Sequence, residues 1–174
     1  MKNRTLRQIT AAGVIAAAYA ALSLVLASTT FGPVQCRVSE ALTLLPVLSP
    51  AAVWGVTLGC AITNGVGAAT GANFLGMVDL FVGTAATLLA AITSRLLGKI
   101  RFGGVPWLSA LPPILFNAVA IGAEWCYAAT GSINVAFWAF AGQIALGQLP
   151  PCLLGVWLIH LLERRGLQNI IEGK

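Results

Sequence analysis

The chain has 174 residues, of which 58% are hydrophobic and only 9% charged, against about 25% charged in an ordinary soluble domain. So little polar surface excludes a disordered chain, a secreted disulfide scaffold and an ordinary cytosolic enzyme. What remains is an all-α integral membrane protein, one domain over residues 1–174. The net charge of +5 is not the footprint of a nucleic-acid binder. Lys2, Arg4 and Arg7 precede the first apolar run; Arg95, Lys99 and Arg101 lie between two others; Arg164, Arg165 and Lys174 follow the last. Short basic clusters at segment ends set membrane orientation.

Six helices are predicted near 8–29, 38–48, 51–69, 74–97, 107–129 and 135–162. The first follows basic residues as a signal peptide would. It is too long for a signal core, and Phe31-Gly32-Pro33-Val34 makes a poor cleavage site, so it is expected to stay. It carries two rows of small residues, Gly13, Ala17, Ala21 and Ala12, Ala16, Ala20. Such rows let another helix approach closely in lipid, either inside the bundle or from a partner protein.

The second helix would span only about 16 Å as an α-helix, short of the roughly 30 Å hydrocarbon core. Charge decides that it counts. With six crossings, nine of the ten Lys and Arg residues face one side and only Arg37 the other. Five crossings would put the Arg95 cluster opposite the N-terminus. The expectation is a cell-membrane protein with six transmembrane helices, the second short, and both termini cytoplasmic. Trp54, Trp107 and Trp157 then fall at inner helix ends, and Trp125 and Trp138 at outer ends.

Charges in apolar spans are costly, so they mark candidate sites. Arg37 and Glu40 open the second helix, Asn64 closes the third, Asn73 and Asp79 open the fourth, Glu124 ends the fifth and Asn134 precedes the sixth. In the six-helix topology all lie toward the outer face. Gly76, Asp79 and Gly83 share a face that admits a close neighbour or ligand. Asn117 and Glu124, seven apart, point one way; Trp125 and Tyr127 supply rings beside the carboxylate, and Gln143 and Trp138 complete the candidate pocket. Three carboxylates against one arginine suit a cation, or a heterocycle rich in N–H donors. The bland reading is also open: Arg37 and Glu40, three apart, would pair and anchor their own helix, with Asp79 held by Arg37.

The four cysteines, Cys36, Cys60, Cys126 and Cys152, lack metal-ligand spacing, although Cys36 and Cys126 fall on one side of the membrane. The sequence carries no phosphate-binding loop, zinc-protease motif or nucleophile elbow. No cofactor and no metal are expected. Uphill transport driven by ATP would need another subunit to bind the nucleotide.

The runs RVSEALTLLP (37–46) and WGVTLGCAITN (54–64), with the segment from Gly71 to Asp79, resemble the queuosine-precursor transporter family, QueT. The resemblance covers most of the chain. It implies the substrate-binding S component of an energy-coupling factor (ECF) transporter, six helices with a solute site near the outer surface. It implies a transmembrane coupling subunit docked on the small-residue face of helix one, and two cytoplasmic ATPases. The implied ligand is a deazaguanine base, aminomethyl or nitrile. Topology and chemistry, and not the resemblance, then assign Glu40, Asp79 and Glu124 as acceptors and Asn64, Asn73 or Gln143 to reading the ring. Two readings compete: an S component for another vitamin-like solute, and a membrane interaction protein whose polar ring is structural.

Overall fold

The computed structural model describes residues 2–166, with side chains from Arg4 onward; Lys174 lies outside that range. The described residues are helical: α1 (Lys2–Val25), the single turn α2 (Ala27–Thr30), a 3-10 helix (Val38–Val47), α3 (Ala51–Thr70), α4 (Met77–Leu97), α5 (Leu111–Thr130) and α6 (Phe137–Arg164). Five helices are long and apolar enough to cross a membrane. Large apolar side chains face outward, Phe81 and Leu146 among them, while Ser39, Thr43, Thr63, Asn64 and the charged Arg37, Glu40 and Asp79 are buried. That inversion suits a lipid solvent.

Punctuation in the sequence sets the helix ends. Gly71 and Gly131 terminate α3 and α5 at φ 73° and 74°, the left-handed cap that glycine adopts without steric cost. Pro112 and Pro113 occupy the first turn of α5, where their missing N–H groups cost nothing. The long fourth span begins at Met77 rather than residue 74, so Asn73 lies in the preceding turn and not on a helix. A 3-10 turn, Trp107–Ala110, precedes α5.

Small residues decide which helices touch. A Cβ on Gly55 would meet Ile15 Cβ at 2.8 Å, and one on Gly59 would meet Tyr19 Cβ at 2.7 Å. These glycines admit α1 to close contact with α3. The pairing of 55 with 15 and 59 with 19 also makes the two helices parallel. The chain between them must therefore return along the bundle, and the 3-10 helix is that return.

The 3-10 helix corrects the expected short α-helix at 38–48. At about 2.0 Å per residue its ten residues cover roughly 20 Å, further than an α-helix of that length. Arg37, just before it, lies 3.9 Å from Asp79 near the start of α4. At the other end Arg95 Nη1 donates to the Pro46 carbonyl at 2.7 Å, and Val47 packs on Gly98. The segment thus runs beside α4 for most of its length. Leu44 and Leu45 enter a core with Tyr19, Val56, Cys152 and Val156, and α6 closes over it where Gly155 meets Ala41 and Leu44. Most of its side chains are buried by these neighbours, with Val38, Leu42 and Val47 half-buried.

Candidate solute-binding site

Five of the polar residues singled out by sequence converge on one buried cluster at the α3–α4 end of the bundle. Arg37 is 3% exposed, Glu40 1%, Asn64 0%, Asn73 4% and Asp79 0%. The 3-10 helix delivers Arg37 and Glu40, α3 delivers Asn64, and the turn into α4 delivers Asn73 and Asp79. Arg37 lies 4.0 Å from Glu40 and 3.9 Å from Asp79, so it is shared between two carboxylates and locked to neither. Its guanidinium also sits over the Phe31 ring at 5.8 Å. Tyr19 donates to Glu40 at 2.6 Å, and Asn73 donates to Asp79 Oδ2 at 2.7 Å. Asn64 donates to the Asp79 backbone carbonyl at 2.9 Å.

The cluster keeps unused bonding capacity. Glu40 Oε2, Asn64 Oδ1, Asp79 Oδ1 and Gln148 Oε1 are buried with no hydrogen-bond partner among the described residues. On the donor side the same holds for Arg37 Nε and Nη2 and for Gln35 Nε2. Buried polar groups in native proteins are nearly always bonded, and in a bilayer each exception is expensive. So many at one end of one small bundle, with acceptor atoms outnumbering donor atoms, make this cluster the candidate site.

Glu124 and Trp125 form a second region alongside. Glu124 faces a groove between α4 and α5 of about 490 Å³, whose lining is otherwise almost wholly apolar. Both of its carboxylate oxygens, and the Trp125 Nε1, lack a partner. Trp125 stacks on Phe74.

Other expected members stand apart. Trp138 is 74% exposed at the start of α6, edge-on to Phe137. Gln143 is half-buried on α6, while Gln148, five residues on and fully buried, donates to the Gln35 carbonyl at 3.2 Å. Asn134 spends its side chain on its own loop, bonding Thr130 and the Ala136 N–H. All four cysteines are unpaired, with Cys126 directed at the Ser132 carbonyl. Cys60 accepts from Arg37, Asn64 and Thr87.

Sequence reading missed Tyr19, Gln35, Cys60, Thr87 and Gln148 as members of the cluster. Tyr19 had a signal: it lies three and seven residues after Ala16 and Ala12, on the stripe that packs against α3. The two small-residue rows of α1 separate cleanly. Ala16 and Ala20 are buried and Ala12 half-buried, whereas Gly13, Ala17 and Ala21 are exposed.

A model of the QueT transporter family matches residues 9–164, most of the chain. The chain belongs to the QueT transporter family. Curated proteins and solved structures give no match. QueT membership makes this a multi-pass membrane transport protein for a small molecule.

Proposed function

We propose that this QueT protein is the solute-capturing S component of an ECF transporter, binding a deazaguanine precursor of queuosine at the α3–α4 end of the bundle. The carrying observation is the excess of buried, unbonded acceptors around a single shared arginine. A guanine-type edge presents ring N–H and amino donors next to one carbonyl. Glu40, Asp79 and Asn64 would take the donors, and Arg37 would give to the carbonyl. Glu124 would meet the aminomethyl cation.

In this reading the bundle crosses the membrane six times, the 3-10 helix being the second pass. The parallel packing of α1 and α3 supports this. Arg4, Arg7, Arg95, Lys99, Arg101, Arg164 and Arg165 then share the cytoplasmic side with both termini, and the binding cluster lies toward the outer side. The coupling subunit docks on the Gly13–Ala17–Ala21 row, because the Ala12–Ala16–Ala20 row is already used against α3. The two ATPases bind the coupling subunit.

Calorimetric titration of the detergent-purified chain with aminomethyl- and cyano-deazaguanine, guanine and thiamine tests the solute. Tight binding of a deazaguanine, weaker binding of guanine and none of thiamine is expected. Thiamine binding alone would keep the architecture and discard the solute. Silence from all four would favour the structural reading, for which the 3.9 and 4.0 Å ion pairs speak. Glu124→Gln should weaken the aminomethyl base by about 10- to 100-fold, the worth of one charge-assisted hydrogen bond. Its melting temperature should not fall, since the carboxylate bonds nothing in the chain. Unchanged affinity would remove Glu124 from the site.

Docking has its own variant. Ala17→Leu adds bulk to an exposed row, so folding and solute binding should survive while recovery of the coupling subunit drops about tenfold, the effect of losing roughly 1.4 kcal/mol of close helix packing. Co-purification at parental level would place the docking face elsewhere. Ala16→Leu is the wrong probe, because Ala16 packs against Gly59 and the fold itself would suffer.

A further inference from the structure

The turn from Gly71 to Gly76 carries two neighbouring side chains with opposite attachments. Asn73 is buried and donates to Asp79 Oδ2 at 2.7 Å, which fastens the turn to the polar cluster. Phe74, the next residue, is 68% exposed. Its ring nevertheless lies on Trp125, with centroids 5.4 Å apart and planes 21° from parallel. Phe74 and Glu124 both line the groove between α4 and α5. The groove therefore joins an aromatic face to one unpartnered carboxylate inside apolar walls. Aromatic faces bind flat rings, and a lone carboxylate in apolar surroundings calls for a cation.

We propose that Phe74 and Trp125 are the two faces of a ring clamp, and that Glu124 beside them pairs with a cationic substituent of the clamped ring. This rests on the deazaguanine reading and adds the residue that sets ring selectivity, Phe74. A ring held between two aromatic faces needs their planes about 7 Å apart, two contacts of about 3.5 Å each, so Phe74 must swing away from Trp125 to admit one. The turn permits this. Its flanking glycines, Gly71 and Gly76, take φ of 73° and 62° with open space where a Cβ would stand, and Phe74 itself belongs to no helix.

The test measures aminomethyl-deazaguanine affinity in the detergent-purified parent and in Phe74→Ala, Phe74→Leu and Phe81→Leu, alongside tryptophan emission. Phe74→Ala should bind about tenfold more weakly, the usual worth of stacking on a base. Phe74→Leu keeps apolar bulk without a ring face and should still lose at least about threefold. Phe81→Leu alters an exposed phenylalanine further along α4 and should bind as the parent does. Ligand should change the parent's emission, and Trp125→Phe should abolish that change while the other four tryptophans remain. If the parent binds the base and Phe74→Leu binds it equally well, the clamp is wrong and the solute reading stands. A parent that binds none of the bases overturns the solute reading and the clamp with it.

Discussion

Arg37→Met is expected to lower the melting temperature of the detergent-purified protein by roughly 10 °C and to abolish solute binding. Arg37 is the cation shared by Glu40 and Asp79, at 4.0 and 3.9 Å, and all three side chains are buried. Removing it leaves two carboxylates facing each other without compensation. Breaking a buried charge pair from one side costs about 3–5 kcal/mol, a large part of the stability of a small domain. Methionine fills most of the volume, so the loss reports charge and not a cavity. Stability and function can then be separated. Arg37→Met combined with Glu40→Gln and Asp79→Asn removes every charge from the cluster, and should recover much of the lost stability while binding stays absent. If the triple variant binds the base as the parent does, the cluster is a structural tie only. If Arg37→Met melts with the parent, the ion pairs contribute nothing and the 3-10 helix is held by packing alone.

Gly147→Ala is expected to destabilise the protein by about 1–3 kcal/mol or more and to weaken solute binding at the same time. A Cβ at this position on α6 would collide with the Val34 backbone carbonyl, and would also lie 2.9 Å from Val34 Cγ1. A backbone atom cannot rotate away as a side chain can. The methyl would push the 31–37 segment off α6, strain the Gln148 bond to the Gln35 carbonyl, and shift Arg37 three residues beyond Val34. Gly142→Ala, five residues earlier on the same helix, is the control. Nothing lies within 4 Å of its Cβ position, so it should be neutral, or stabilising by about 0.5–1 kcal/mol through helix propensity. Thermal melting and titration of the two variants side by side measure both effects. Equal behaviour would mean that the 31–37 segment does not position Arg37.

The polar core of the candidate site was largely legible in the sequence, for one physical reason. Charged and amide side chains are expensive in an apolar span, so Arg37, Glu40, Asn64, Asn73 and Asp79 stand out against their surroundings. Tyr19, Thr87 and Cys60 do not, because a tyrosine, threonine or cysteine in a membrane helix has many inexpensive explanations. Gln35 falls in an irregular segment with a left-handed φ of 47°, for which no periodicity exists to say where it points. Phe74 is the sharpest case. In sequence it is one more apolar residue at the head of a helix. Only its place in a turn, lying on Trp125, gives it chemistry.

Composition, segment lengths and basic clusters determined that the chain belongs in a membrane and where its long helices run, because hydrocarbon imposes a length and a polarity that few sequences meet. They also marked Arg37, Glu40, Asn64, Asn73 and Asp79 as costly polar residues, which the structure gathers in one buried cluster. Tertiary structure alone decided three further matters. It chose a 3-10 rather than an α conformation for Val38–Val47, which the enclosing helices and the Arg95 bond to Pro46 make tolerable. It assigned one small-residue row of α1 to the packing against Gly55 and Gly59 and left the other exposed. And it set Glu124 in a groove of its own, beside the cluster where Arg37 already serves two carboxylates. Helical spacing says which residues share a face. What covers that face is settled by neighbours that the spacing does not contain.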